Sequence, residues 1–241
     1  MCVQSDLADT VHDLLQTVLD IFYPLRCGGC GGHGSALCRD CIGSFRIVDE
    51  ASSCPVCGRW IGKSIVCGGC LEEAGGFRKG HYGFYFEGRL RSAIHAFKFS
   101  GRKDIGRSMV WLSREKILSF AETFDWIVPI PVTEKRLKER GFNQSFIIAE
   151  EIGKITGKEI KHSILLKKKD TLDQYSLTRE ERQKNVRGIF AVRDRDRVEG
   201  KRVLLVDDLY TTGYTAREAA RTLLRSRAGE VHFFALARTP S

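Results

Sequence analysis

The sequence contains no long apolar run. No hydrophobic stretch approaches the ~20 residues that a membrane-spanning helix needs, so we expect no membrane span. The N-terminal segment also lacks the apolar stretch of a secretory signal peptide, because four acidic residues interrupt it: Asp6, Asp9, Asp13 and Asp20. We therefore expect a cytoplasmic protein, and in that compartment nine cysteines favour metal binding over disulfide bonds.

Positive charge is concentrated in the C-terminal two-thirds of the chain. The formal net charge is +9. Residues 1–80 carry 7 Lys and Arg against 9 Asp and Glu, which leaves −2, whereas residues 81–241 carry 32 against 21, which leaves +11. A basic surplus of this kind favours anionic partners such as phosphates or nucleic acid, although an ordinary basic surface has the same composition.

The composition divides the chain into three segments. Residues 1–26 contain a predicted amphipathic helix, since apolar residues recur at helical spacing between residues 6 and 23. Residues 27–75 hold eight of the nine cysteines but too few apolar residues for a core of their own. Residues 80–241 are long enough for an ordinary domain.

The third segment alternates between strand and helix patterns. Strands are predicted at residues 84–86, 126–130, 203–206 and 231–236, and helices at residues 88–99, 142–155 and 216–225. Residues 131–140 are predicted as a loop, and Thr178 with Glu181 has the capping-box spacing of a helix start. Strands that alternate with helices indicate an α/β fold with a mainly parallel sheet.

Eight cysteines form four C-x2-C pairs: Cys27/Cys30, Cys38/Cys41, Cys54/Cys57 and Cys67/Cys70. Two residues between ligands let one tight turn aim both thiolates at the same ion, and two such turns complete a tetrahedral zinc site. Four pairs therefore predict two structural zinc ions, which would fold a segment that has little core. Consecutive pairing assigns the first four cysteines to one ion and the last four to the other, and interleaved pairing is the alternative.

Other interpretations of the cysteines are weaker. A redox role fits poorly, because no C-x2-C pair follows a strand in a βαβ pattern, and an iron–sulfur cluster is the remaining alternative. His33 and Cys2 are expected to stay outside the metal sites. A chelator is expected to unfold residues 27–70 and to leave the C-terminal domain folded.

The segment Val203 to Thr215 combines a buried strand, two carboxylates, a small-residue turn and a helix start. Backbone N–H groups and threonine hydroxyls of the turn are candidate phosphate donors, and Gly213 lets the backbone approach the ligand closely. The candidate phosphate-binding residues are Thr211, Thr212, Gly213, Tyr214 and Thr215. Asp207 and Asp208 suit sugar hydroxyls rather than phosphate. Together these groups predict a ribose 5-phosphate site, although a strand followed by an ordinary capped helix is the plainer interpretation.

This segment resembles the phosphoribosyl pyrophosphate motif of type I phosphoribosyltransferases. Three further motifs make the chain similar to the ComF family of competence proteins, which join an N-terminal zinc ribbon to a phosphoribosyltransferase domain: Phe97-Lys98-Phe99-Ser100-Gly101, Arg140-Gly141-Phe142-Asn143-Gln144-Ser145 and Asn185-Val186-Arg187-Gly188-Ile189-Phe190. The resemblance covers nearly the whole chain from Cys27 onward. Tyr214 departs from it, because the family usually has a small residue there. A tyrosine ring pointing into the pocket would oppose binding of the 5-phosphate.

The resemblance implies a protein that binds phosphoribosyl pyrophosphate or a related phosphosugar together with Mg2+. Asp207 and Asp208 would be the catalytic acids on the ribose hydroxyls, and Arg136 and Arg140 would contact pyrophosphate. Residues 168–188 resemble the flexible hood over such a site. The implied role is in natural transformation and DNA uptake or in nucleotide metabolism, with other competence proteins as candidate partners. No pocket for a particular acceptor base is recognisable.

The second hypothesis is a non-catalytic protein of the competence machinery that binds single-stranded DNA with the same fold, since fold does not fix function. Lysines and arginines would contact the phosphates, and aromatic side chains would stack on the bases. Phe97, Phe99 and Trp111 are the candidate stacking residues, although a place in the core is the plainer interpretation of each.

Overall fold

The computed structural model of the chain describes residues 25–73, 76–168 and 187–240. Several predicted features lie outside these residues: Cys2, the whole N-terminal helix at residues 6–23, most of the hood segment and the helix start at Thr178. Within the part that is described, no helix is both long enough and apolar enough to cross a membrane.

The cysteine-rich segment contains two short helices, α1 (Arg39–Gly43) and α2 (Gly68–Glu72). The elements that follow are β1 (Gly80–Tyr85), α3 (Gly88–Phe99), α4 (Lys103–Leu112), α5 (Arg114–Ser119), a 3-10 turn (Ala121–Thr123), β2 (Trp126–Pro129), α6 (Glu134–Arg140), α7 (Gln144–Thr156), β3 (Glu159–Ile160), β4 (Leu165–Lys167), β5 (Phe190–Val192), α8 (Arg195–Val198), β6 (Arg202–Tyr210), α9 (Tyr214–Arg225) and β7 (Glu230–Arg238).

Five of the strands form one parallel sheet in the order β1-β7-β6-β2-β3. Strands β4 and β5 pair with each other in a separate antiparallel ribbon. The predicted α/β fold with a mainly parallel sheet is therefore confirmed. Strand β6 lies at the centre of the sheet, so residues at its carboxyl end occupy the edge where open α/β sheets bind their ligands.

The apolar side chains of β6 alternate between two cores, one on each face of the sheet. Val203 and Leu205 belong to the core under α9, whereas Leu204 and Val206 belong to the core formed with α3, α4 and α7. All four are fully buried. A parallel strand that is covered on both faces has a continuous apolar run instead of an alternating pattern, which is why this strand could be predicted.

The two groups of cysteines pack against these two different cores. Cys27 and Cys41 belong to the core on the α3 side, and Cys54, Cys57 and Cys70 belong to the core on the α9 side. The segment that has too few apolar residues for its own core therefore shares both cores of the larger domain.

The structure differs from the sequence-based expectation in two places. Residues 131–140, predicted as a loop, fold into α6, because Thr133 caps the helix start and Gly141 ends the helix in a left-handed conformation with φ 77°. Strand β6 also continues past its predicted end at Val206. Its pairing with β7 extends to Tyr210, and this hydrogen-bonded ladder sustains the strand after the apolar run has ended.

Candidate functional site

Asp207 and Asp208 lie on the part of β6 that extends beyond its neighbour β2. The register between β2 and β6 ends at the pair Pro129 and Val206, whereas the pairing with β7 continues to Tyr210. The two aspartates therefore border the place where β2 leaves the sheet. This is the carboxyl end of the central strand, the usual ligand-binding edge of such sheets.

Asp208 is held by a lysine from α3. Lys98 Nζ lies 2.9 Å from Asp208 Oδ2, and Asp208 is only 6% exposed. Because little water reaches the pair, its attraction is screened less than that of a surface ion pair. Lys98 also lies in the last turn of α3, where a cation interacts favourably with the helix dipole.

Asp207 accepts two hydrogen bonds and titrates near neutral pH. Its Oδ1 atom accepts from the Ser145 hydroxyl and from the Asp208 backbone N–H, both at 2.9 Å. Burial and the adjacent Asp208 carboxylate raise the pKa of Asp207 to about 6, although Lys98 acts in the opposite direction. The site thus pairs one carboxylate with a cation and leaves the other able to change its charge near pH 6.

The start of α7 forms one wall of the site. The Asn143 side chain caps this helix by accepting a hydrogen bond from the Ser145 backbone N–H at 3.0 Å. The amide nitrogen of Asn143 donates to the Ile130 carbonyl at 3.1 Å and so ties the cap to the end of β2. Ser145 is thereby placed for its hydroxyl to reach Asp207.

Arg140 connects to the acidic pair through a chain of polar contacts. Its guanidinium donates to Gln144 Oε1 at 3.1 Å and lies 5.1 Å from the centre of the Phe99 ring. The Gln144 amide donates to the Lys98 carbonyl at 3.4 Å, and Lys98 pairs with Asp208. The structure therefore places Arg140 in the same network as the acidic pair.

Arg136 lies one turn before Arg140 on α6. Its side chain is half-buried, and its backbone N–H donates to the Thr133 hydroxyl at 3.4 Å in the helix cap. Lys135 and Lys138 on the same helix are exposed. The predicted basic loop is thus a basic helix beside the site.

The turn between β6 and α9 leads directly into the start of a twelve-residue helix. Gly213 caps α9 with φ 80°, a conformation that favours glycine, and a Cβ at this position would collide with the Tyr210 side chain. Thr211 and Thr212 are exposed. The first turn of a helix leaves its N–H groups without intrahelical partners, and these groups attract anions.

The departure from the family at Tyr214 does not obstruct this turn. The Tyr214 side chain is 7% exposed and packs in the core under α9. Thr215 follows it, half-buried in the first turn of the helix. All five predicted phosphate-binding residues are therefore adjacent in the turn and the helix start, with the tyrosine ring directed into the core.

Each group of four cysteines converges on one point. The sulfur atoms of the first group lie within 4.8 Å of one another, and the same is true of the second group: Cys27, Cys30, Cys38 and Cys41, then Cys54, Cys57, Cys67 and Cys70. Four sulfurs at this separation fit a tetrahedral zinc ion. Consecutive pairing is therefore the arrangement that the structure supports.

The two clusters are built in the same way. In the first, the Cys38 backbone N–H donates to Cys27 Sγ at 3.3 Å, and in the second the Cys67 N–H donates to Cys54 Sγ at 3.4 Å. Cys38 and Cys67 also occupy the positions directly before α1 and α2. Cysteine binds a metal as a thiolate, and a backbone N–H donor stabilises that form, so these two contacts favour metal binding at Cys27 and Cys54.

The sequence did not reveal three residues of the acidic network. Lys98, Gln144 and Ser145 each lie in a motif of the resemblance, yet their partners are far away in the chain. In the sequence, only their positions could have indicated a role: Lys98 lies at the end of one predicted helix, and Gln144 and Ser145 lie near the start of another. Only the fold shows that both helix ends meet at β6.

Two known domain families match the chain. The double zinc ribbon domain matches residues 18–71, and the phosphoribosyl transferase domain matches residues 146–241. A solved structure of glutamine phosphoribosylpyrophosphate amidotransferase from B. subtilis overlaps 55% of this chain and 27% of its own, with 23% identity and a TM-score of 0.38.

Three relatives are similar over most of the chain. The DNA utilization protein YhgH of Escherichia coli (strain K12) is 29% identical over 214 residues, which are 86% of this chain and 92% of the relative. Competence protein F of Haemophilus influenzae is 27% identical over 236 residues, 90% and 98% of the two chains. Competence protein ComFC of Bacillus subtilis (strain 168) is 28% identical over 201 residues, 77% and 78% of the two chains. The resemblance indicated by the motifs is confirmed: a double zinc ribbon domain and a phosphoribosyl transferase domain match the chain in this order, and the chain is similar over most of its length to Competence protein F and Competence protein ComFC.

Proposed function

We propose that the acidic pair and the adjoining turn bind phosphoribosyl pyrophosphate or a related phosphosugar. The observation that supports this most is the order of groups along one backbone segment. Asp207 and Asp208, near the carboxyl end of β6, offer acceptors for sugar hydroxyls, and the turn at Gly213 that follows β6 offers donors to a phosphate. Ribose 5-phosphate carries neighbouring hydroxyls and a phosphate in the same molecule.

The residues around the pair have supporting roles in this proposal. Ser145 orients Asp207, and Lys98 holds Asp208 in place through the ion pair. Arg140 supplies positive charge beside the acidic network for the pyrophosphate of the ligand. Charged donors placed before the ligand arrives stabilise developing negative charge without further reorganisation.

Mg2+ fits this site as a partner of the ligand. It prefers oxygen ligands and usually binds through one or two carboxylates together with substrate phosphates. The carboxylates of Asp207 and Asp208 provide such oxygens, but Lys98 Nζ already lies 2.9 Å from Asp208 Oδ2. A bound Mg2+ would neutralise charge on the pyrophosphate. We therefore expect its affinity for the protein to depend on the ligand.

The relatives support a cellular context for this chemistry. Their names refer to competence and to DNA utilization. We propose a role of this chain in natural transformation and DNA uptake inside the cytoplasm, with nucleotide metabolism as the alternative role. Whether a phosphoribosyl group is transferred depends on an acceptor, which is a separate question from binding.

Calorimetric titration tests the proposal. Phosphoribosyl pyrophosphate is titrated into the zinc-loaded full chain with and without Mg2+, and ribose 5-phosphate and pyrophosphate are titrated separately. We expect saturable binding that Mg2+ strengthens. Release of pyrophosphate in the presence of a panel of bases then tests for transfer. No binding of any of the three ligands would refute the proposed site.

A second candidate function, binding of single-stranded DNA, is favoured by a cleft between the cysteine-rich segment and the sheet. The cleft has a volume of 480 Å3 and is lined by Arg46, Ile47, Asp49, Trp60, Tyr85, Arg238 and Pro240. Trp60 is 64% exposed, and the Arg46 guanidinium lies 4.0 Å from the centre of the buried Tyr85 ring. The exposed Trp60 indole is suited to stack on a base, and Arg46, whose side chain is 58% exposed, is the cation of the cleft that can contact a phosphate.

Among the stacking residues predicted from the sequence, Phe97 is fully buried and cannot stack on a base. Trp60 replaces it as the candidate. Binding of a fluorescent single-stranded oligonucleotide should weaken ~5- to 150-fold in Trp60→Ala, since stacking contributes about 1–3 kcal/mol per base. Trp111→Ala tests the exposed indole that was a candidate from the sequence, which donates to Glu151 at 3.1 Å on another part of the surface. Equal effects of the two variants would argue against the cleft.

A further inference from the structure

Arg217 is a buried cation whose partners lie in the second cysteine cluster. It is 5% exposed and belongs to the first turns of α9. Its Nη2 atom donates to Cys70 Sγ at 3.2 Å, and its Nε atom lies 3.2 Å from Glu73 Oε2. A buried guanidinium is costly unless negative charge compensates it. The cluster and the residue that follows α2 provide this compensation.

The negative charge of the cluster depends on its metal. Zinc binds cysteines as thiolates, so four of them around one ion give the cluster a formal charge of about −2. Loss of the metal removes the cross-link that holds α2 and with it the fixed position of Cys70. Glu73 directly follows α2 and depends on the same fold. Arg217 would then lose the compensation that keeps it in place.

The other end of Arg217 reaches the phosphate-binding turn. Its backbone N–H donates to the Gly213 carbonyl at 2.9 Å and closes the first turn of α9. Gly213 also packs against the Tyr210 side chain, because a Cβ atom built on Gly213 would collide with that side chain. A displacement of Arg217 therefore shifts the start of the helix and the conformation of residues 211–213.

We propose that Arg217 is a positioning residue that couples zinc occupancy of the second cluster to the conformation of the turn at residues 211–213. This proposal depends on the proposed function only for the identity of the ligand at that turn. The coupling itself needs no ligand, so it can be tested in the unliganded protein. Among the residues that the structure describes, no such path leads from the first cluster to this turn. Arg89 donates to Cys41 Sγ at 3.6 Å, but it is exposed and lies at the opposite end of α3 from Lys98.

Hydrogen exchange of the full-length chain measures the coupling without any ligand. Cys67→Ser removes one ligand of the second cluster but leaves the sulfur that Arg217 contacts, and Cys30→Ser is the matched change in the first cluster. We expect backbone exchange in residues 211–217 to accelerate about tenfold or more in Cys67→Ser. Cys30→Ser should leave that segment unchanged.

A second set of variants separates Arg217 from general loss of the cluster. Arg217→Gln should accelerate the same exchange while metal analysis still finds both zinc ions, and Arg217→Lys should restore part of the protection because it keeps the charge. Arg225→Gln is the control on the same helix, since this residue is exposed and contacts Glu218. Equal exchange in Arg217→Gln and Arg225→Gln would overturn the coupling, even if Cys67→Ser fails to fold.

Binding of the ligand supplies a reciprocal test. Coupling free energies act in both directions, so phosphoribosyl pyrophosphate with Mg2+ should slow the release of zinc from the second cluster to a chelator. The effect should disappear in Arg217→Gln and persist in Arg225→Gln. A wild-type chain that binds no phosphoribosyl pyrophosphate refutes the proposed function, and the exchange data then still decide the coupling. Bound ligand with unchanged zinc release in the wild type would count against the coupling.

Discussion

Lys98 Nζ and Asp208 Oδ2 form an ion pair of 2.9 Å that joins the last turn of α3 to the central strand. Removal of one partner leaves the other charge uncompensated in a largely buried site. We therefore expect Lys98→Met and Asp208→Asn each to lower the free energy of unfolding by about 3 kcal/mol. The double variant should lose less than the sum, with a coupling energy of about 1–3 kcal/mol in urea unfolding.

A surface pair is the control for this cycle. Arg197 and Asp194 form an ion pair of 2.8 Å with side chains that are 73% and 40% exposed. Arg197→Gln should change the free energy of unfolding by less than about 1 kcal/mol, as is usual for exposed pairs. Additive effects of the Lys98 and Asp208 substitutions would show that the buried contact is not an energetic pair.

Asp207 makes stability and ligand binding depend on pH in opposite directions. Its pKa in the folded protein, about 6, is above the ordinary value of 3.8. The folded state therefore holds this proton more tightly than the unfolded state, and the resulting stability is lost as the pH rises from 4 through 6. Asp207→Asn should be more stable than the wild type at pH 8, by about 1–3 kcal/mol, and no more stable at pH 4.

Ligand affinity should change with pH in the other direction. A carboxylate accepts hydrogen bonds from sugar hydroxyls more strongly than a protonated carboxyl group does. The affinity for phosphoribosyl pyrophosphate should therefore increase between pH 5 and pH 7 in the wild type. Calorimetry at fixed Mg2+ measures this change. In Asp207→Asn the contribution of this group disappears, so an unaltered pH profile in the variant would assign the dependence to another group.

Replacement of both acids tests the ribose assignment directly. Asp207→Asn with Asp208→Asn keeps the side-chain size but exchanges two charge-assisted hydrogen bonds for neutral ones. We expect a loss of ~2–3 kcal/mol in binding, which is a ~30- to 150-fold weaker affinity for phosphoribosyl pyrophosphate. Inorganic phosphate bound at the turn should be much less affected. Equal affinity of the double variant and the wild type would contradict the assignment.

Patterns that are local in the sequence predicted much of this protein. The buried run at Val203 to Val206, the C-x2-C spacing and the turn at Gly213 each depend on nearby residues, and each is found in the structure. The pairing of cysteines needed the fold, because spacing alone allows interleaved pairing. The ion pair between Lys98 and Asp208 could not be predicted from the sequence either, because it depends on how α3 packs on the sheet.

The packing of the cysteine-rich segment against the larger domain changes what we expect a chelator to do. Cysteines of the two clusters lie in the two separate cores of the larger domain, so each metal site supports one face of the sheet. We expect about two zinc ions per chain by metal analysis. A chelator should lower the midpoint of thermal unfolding of the whole chain, instead of unfolding residues 27–70 alone.

Near-ultraviolet circular dichroism measures that difference. Tyr82, Phe233 and Phe77 lie in the core that includes Cys54, Cys57 and Cys70, so their signal should fall as zinc is removed. Re-addition of zinc should restore it. A chelated protein that keeps this signal and its unfolding midpoint would show instead that the C-terminal domain is independent of the metal.

Gly213 should be the most sensitive single position of the turn at which we propose phosphate binding. Alanine at φ 80° is strained, and its Cβ would also collide with the Tyr210 side chain. We expect Gly213→Ala to lower the free energy of unfolding by about 1–3 kcal/mol and to weaken phosphate binding at least about tenfold, because the backbone must move where the ligand binds.

Gly200→Ala isolates the contribution of backbone strain, since Gly200 has φ 70° with no atom within 4 Å of an added Cβ. This control should lose about 1 kcal/mol of stability and bind phosphate as the wild type does. Thermal unfolding and titration with phosphoribosyl pyrophosphate and with inorganic phosphate measure both effects, and unchanged binding by Gly213→Ala would remove the turn from the site.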